Sequence, residues 1–155
     1  MHAVRVHART ATGTGLAADS TGRWWHLTPG QQAAAPFTIS PPAGATGAPL
    51  RVLPVSSAHL GGVWATPGSQ TVVLYDAATG QPSAQGAAND LDLTHAAVLR
   101  QTEGPRLTLG PVLIDPTAPA VLPLGAGIAP NAVTAGHVYA TANRQWLDIT
   151  TPSRM

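Results

Sequence analysis

The stretch VWATPGSQTVVLYDAATG, residues 63–80, decides the fold class. Two short runs rich in β-branched and aromatic residues, 63–66 and 71–75, flank a Pro-Gly-Ser reversal. Each run is too short for a stable helix, and the Pro-Gly pair between them is turn chemistry. Asp76 to Gly80 then closes the second run with polar and small residues. The expected local structure is an antiparallel hairpin in which Trp64 and Tyr75 lie on the strands.

Working outward, the same grammar recurs along the chain. Residues 2–8, 23–27, 36–39, 50–55, 106–109, 112–114, 138–141 and 145–149 read as further short strands. Thr-Pro-Gly, Pro-Pro-Ala-Gly and Ala-Thr-Gly clusters separate many of them. One helix is expected, over residues 90–101, with Asp90 as its cap and Leu91, His95, Val98 and Leu99 as its face. Residues 80–89, GQPSAQGAAN, are small and polar and read as a surface loop, as do residues 43–48. The fold class is therefore all-β: an antiparallel sandwich or barrel of repeated hairpins with at most one short helix, or alternatively a propeller-like meander. The 155 residues fit a single domain, residues 1–155, that could divide into related halves 1–80 and 90–155 joined by the polar loop.

The chain is also self-similar. Residues 48–55, APLRVLPV, recur loosely as residues 118–124, APAVLPL. Downstream lie the matched tetrads Val63-Trp64-Ala65-Thr66 and Val138-Tyr139-Ala140-Thr141, each followed by a second strand that carries Tyr75 or Trp146. A third hairpin, over residues 16–29, contains Arg23-Trp24-Trp25, and residues 106–115 supply a degenerate fourth. The common unit is a hairpin reversed by a polar turn of about five residues, with a ring on the strand next to small residues. Equivalent positions in the repeat mark Trp64, Tyr75, Tyr139 and Trp146 as core residues.

These hairpins resemble two families of module. Residues 64–80 and 138–152 are similar to the Trp-bearing hairpins of bacteriophage fibre and decoration modules, and also look like the inner hairpins of β-propeller repeats. The first resemblance implies a virion part such as a capsid decoration, head fibre or tail accessory protein. The second implies a propeller-like or lectin-like ligand-binding module. Four blades of about forty residues would just exceed this length, which counts against a complete propeller.

Composition narrows the function classes. Charged residues make up 10% of the chain, with 16 Gly and 15 Pro. So weakly charged a surface offers little resistance to association, although the codon bias of a GC-rich genome also produces this pattern. The net charge is +1 and the eight Arg are scattered, so no basic field for nucleic acid exists. The apolar tract over residues 112–133 is broken by four prolines and Asp115, which argues against a transmembrane helix. The opening residues lack the apolar core of a secretory signal. The expectation is cytoplasmic synthesis followed by incorporation into a particle, with no membrane partner.

Chemistry-bearing groups are sparse. There is no cysteine, and the six His show no HxH or HExxH spacing, so neither a metal nor another cofactor is expected. His26 and His137 read as solvent-facing strand residues. Asn89 to Asp92 holds an Asp-x-Asp fragment but lacks the Gly and distal Glu of a calcium loop. Ser56 and Ser57 precede His59 without any triad signature, and no Gly-x-Ser-x-Gly elbow or phosphate loop occurs. No catalytic residue is assigned. Adjacent Trp24 and Trp25 must point to opposite sides of their strand, which makes these two, with Arg23, the interface candidates. The expected role is non-enzymatic: a structural protein that meets copies of itself and other assembly proteins.

Overall fold

In a computed structural model, described for residues 5–9, 15–18, 23–27, 37–56, 58–89 and 91–151, the chain is all-β and antiparallel. No helix occurs among the described residues. Sheet I holds β1 (Arg5–Arg9), β2 (Gly15–Ala18) and β3 (Trp24–Leu27). Sheet II is a meander of β4 (Arg51–Ser56), β5 (His59–Thr66), β6 (Ser69–Asp76) and β7 (Pro82–Asn89). Sheet III repeats that plan with β8 (Val98–Arg100), β9 (Leu107–Leu109), β10 (Val112–Asp115) and β11 (Ala120–Pro123). Sheet IV has β12 (Ala129–Val133), β13 (His137–Ala142) and β14 (Gln145–Thr150).

Each sheet contains one of the four hairpins legible in the sequence: β2–β3, β5–β6, β9–β10 and β13–β14. Their reversals are tighter than the five residues expected in three of them, Gly110-Pro111 linking Leu109 to Val112 in sheet III. Pro67-Gly68 links Thr66 to Ser69, with Gly68 at φ 71, and Asn143-Arg144 links Ala142 to Gln145, both at positive φ. Pro followed by a positive-φ residue suits a type II turn, whereas two positive-φ residues make the type I′ turn that follows strand twist.

Period-two alternation gives each inner sheet two apolar faces. Leu53, Val63, Val72 and Leu74 of sheet II pack against Leu107, Leu109, Val112 and Ile114 of sheet III. On the other side of sheet II, Leu60, Trp64, Val73 and Tyr75 pack with Trp24, Phe37 and Ile39. On the other side of sheet III, Leu113 packs with Val133, Val138 and Ala140 of sheet IV. The sheets thus follow one another in chain order as face-packed layers. None is closed into a barrel. Backbones of sheets II and III come closest along β7 and β11, those of sheets III and IV along β8 and β12.

Three sequence expectations are corrected. Residues 91–97 are not helical and lead into β8; Asp90 lies outside the described residues. Long-range hydrogen bonds compete for that segment's backbone. The Leu93 N–H donates to Gln70 Oε1 at 2.6 Å, and Arg51 donates to the Ala96 carbonyl at 2.6 Å. Leu93 itself is driven into the core between sheets II and III. Second, residues 82–89 form strand β7 instead of a linking loop. Its small residues let β11 approach closely: a Cβ on Gly86 would lie 2.9 Å from the Val121 carbonyl oxygen. Third, the repeat is narrower than residues 48–76 against 118–149. Residues 51–56 open sheet II, but residues 120–123 close sheet III.

Polar ties join the layers. Arg100 on β8 donates to the Pro54 and Val55 carbonyls at 2.7 and 3.2 Å. Between sheets III and IV, buried Arg106 donates to the Thr134 and Ala135 carbonyls and the Thr151 hydroxyl. Its Nε lies 3.2 Å from Asp115 Oδ2. Burial alone would raise the Asp115 carboxyl. Hydrogen bonds from the Thr117 hydroxyl and N–H and the Ala118 N–H, with the Arg106 charge, outweigh it and hold the group below the usual carboxylate range.

Candidate functional site: the exposed face of sheet IV

Sheet IV presents opposite faces to very different surroundings. Val138 and Ala140 point into the layer shared with sheet III and are fully buried. Alternation sends His137, Tyr139 and Thr141 the other way. Across the ladder, Tyr139 faces Asp148 and Thr141 faces Trp146, so the four side chains share the outward face. Trp146 is 77% exposed and Tyr139 39%.

The polar groups on this face are ordered. His137 Nδ1 lies 2.7 Å from Asp148 Oδ1. The imidazole stacks on the Tyr139 ring with centroids 5.8 Å apart and planes within 10°. A ring platform bordered by a hydrogen-bonded imidazole–carboxylate pair can stack on flat apolar surface and offer hydrogen bonds at its rim. No described residue supplies a second acid near that pair.

Sequence reasoning placed Tyr139 and Trp146 in the core, and this is corrected. Trp64 and Tyr75, their repeat equivalents, are buried. The Trp64 Nε1–H donates to the Tyr75 hydroxyl at 2.9 Å, and that hydroxyl donates to the Ser40 carbonyl. Residues 37–45 and Trp24 cover that face of sheet II. In sheet IV the matched tetrad lies one residue farther from its turn, with Ala142 between Thr141 and the reversal where Thr66 adjoins its own, so Tyr139 and Trp146 fall on the opposite face, away from sheet III. The hydrophobic pattern marks which residues lie on strands; their register relative to the turn decides which face they take.

The interface candidates separate in the same way. Trp24 is buried at 5% exposure in the layer beside sheet II, so it is a core residue and not an interface anchor. Trp25, on the opposite side of β3, is half-buried, and exposed Arg23 holds its guanidinium 5.5 Å from the Trp25 ring centroid. No family, no curated protein and no solved structure matches this chain.

Other potential chemistry resolves into local structure. Ser56 Oγ and His59 Nδ1 come within 3.1 Å at the β4–β5 turn. Asp76, opposite His59 on β6, accepts the Ala78 and Thr79 N–H groups with Oδ1 and so caps its own turn. Ser57 lies outside the described residues. Asp92 Oδ1 accepts the Thr94 N–H at 3.0 Å. That bond is the main cause holding its carboxyl below the ordinary range. Among the described residues no group of three or more His, Asp or Glu could hold a metal ion, and no helix is long and apolar enough to cross a membrane.

Proposed function

We propose that this chain is a non-enzymatic structural protein of a multi-subunit assembly, and within that class a phage virion component such as a capsid decoration, head fibre or tail accessory part. The observation that supports the reading is the outward face of sheet IV. In a molecule built of face-packed layers, the last described layer exposes a tryptophan and a tyrosine beside an ordered His–Asp pair. Large aromatics surrounded by weakly charged surface are the usual anchors of protein contacts. The 10% charged composition and +1 net charge give little electrostatic opposition to packing. The narrower virion setting draws on the hairpin resemblance.

A carbohydrate platform is the second reading, favoured by the same imidazole–carboxylate pair beside Tyr139. Sizing chromatography with light scattering, run beside a glycan array, separates the two. A multimer without glycan binding is expected. A monomer that binds glycans through Trp146 would replace assembly by ligand binding.

A further inference from the structure

Sheets II and III share a plan that the described residues of sheet IV do not complete. In each, a fourth strand runs antiparallel along the second strand of the central hairpin: β7 on β6, and β11 on β10. In sheet I, Phe37 takes that position on β3 by exchanging two backbone hydrogen bonds with Trp24. In sheet IV, no described residue pairs with the outer edge of β14.

The remaining edges carry devices that discourage strand addition. β1 has a register irregularity and two arginines. β4 and β12 each combine a proline with an irregularity, at Pro54 and Pro130. β7 begins at Pro82 and lies against β11, β8 has three residues, and β11 ends at Pro123. By contrast, β14 runs six residues in regular register, has no proline, and holds one charge, Asp148, already paired with His137.

Its backbone orientation follows from one bond. The Thr151 N–H donates to the Gly136 carbonyl at 2.9 Å. Antiparallel alternation then commits Leu147 and Ile149 to the β13 ladder and turns the N–H and C=O groups of Trp146, Asp148 and Thr150 to the free edge.

We propose that β14 is an interface strand that pairs antiparallel with β14 of a second copy of this chain, across a two-fold axis at Leu147. This rests on the assembly reading and names its contact. A two-fold normal to the sheet keeps like faces together, so residues of equal parity must oppose one another. An axis at Asp148 would set two carboxylates side by side, which is disfavoured. An axis at Leu147 instead sets each Trp146 opposite the other copy's Asp148, in hydrogen-bonded pairs, and extends the aromatic face over two copies.

The chain has no cysteine, so single cysteines report the register directly. At a non-hydrogen-bonded pair the Cα atoms sit about 4.5 Å apart, within disulfide reach. Under mild oxidation Leu147→Cys should give a covalent dimer, whereas Gln145→Cys and Ile149→Cys should not. Asp148→Pro removes an outward N–H and none of the β13 ladder; it should weaken association by about tenfold or more. Asp148→Asn should keep the dimer. A multimeric wild type whose Leu147→Cys variant fails to cross-link and whose Asp148→Pro variant associates normally would overturn the strand pairing while leaving assembly through the aromatic face. A monomeric wild type would overturn both.

Discussion

Trp64 and Tyr139 occupy the same place in matched tetrads and do different work. Trp64 is closed in with Tyr75 and Ser40, and truncating it to Ala should cost about 3–5 kcal/mol, read as a lowered denaturation midpoint. Tyr75→Phe keeps the volume but strands the Trp64 N–H and the Ser40 carbonyl, and should cost about 1–3 kcal/mol. Burial pushes the Tyr75 hydroxyl up to about 12, with the Trp64 hydrogen bond a smaller opposing influence. Because the folded value is raised, this contribution is full below the unfolded value of about 10 and is lost as pH rises through about 12. Alkaline unfolding of the wild type should therefore steepen in that window, and the steepening should be absent in Tyr75→Phe. Trp146→Ser, by contrast, should change the melting of the isolated chain by no more than about 0.5 kcal/mol. The tetrads were legible as strands because their alternation is local. The exposure of Tyr139 and Trp146 was not legible, because a one-residue shift of the tetrad relative to its turn turns the rings to the opposite face.

At the level of elements, residues 82–89 show where pattern reading runs out. Gly, Ala, Ser and Gln are poor strand signals, yet Gly86 and its neighbours are what let β11 come against β7. Gly86→Val should clash with the Val121 carbonyl and destabilise by about 1–3 kcal/mol, measurable by denaturant titration. The segment from Leu91 to Ala97 failed as a helix for the opposite reason: its periodicity was adequate, but Gln70 and Arg51, far away in sequence, took its backbone partners. The Arg106–Asp115 pair was equally hidden, since the two residues draw meaning from the approach of sheets III and IV. The depressed Asp115 carboxyl stabilises the fold above its unfolded value of about 3.9, and this is lost as pH falls through the lower folded value. Asp115→Asn should flatten the acid limb of the stability profile. It leaves the buried guanidinium without its counter-charge, at a cost of about 3–5 kcal/mol near neutrality.

For the whole molecule, four hairpins seeded four sheets, and that much of the architecture lay in short-range sequence. The packing of the sheets as successive layers came from the two-faced apolar alternation of sheets II and III, which a search for one buried face per strand does not separate from a simple sandwich. The layered plan gives the outward face of sheet IV its meaning. The most direct test is sedimentation of the wild type and Trp146→Ser over a concentration series, with melting followed in parallel. The wild type should associate as concentration rises, the variant should be weakened by about 2 kcal/mol, or roughly thirtyfold in dissociation constant, and the two dissociated chains should melt alike. A wild type that stays monomeric throughout, or a variant that associates as well as the wild type, would contradict assembly through this face.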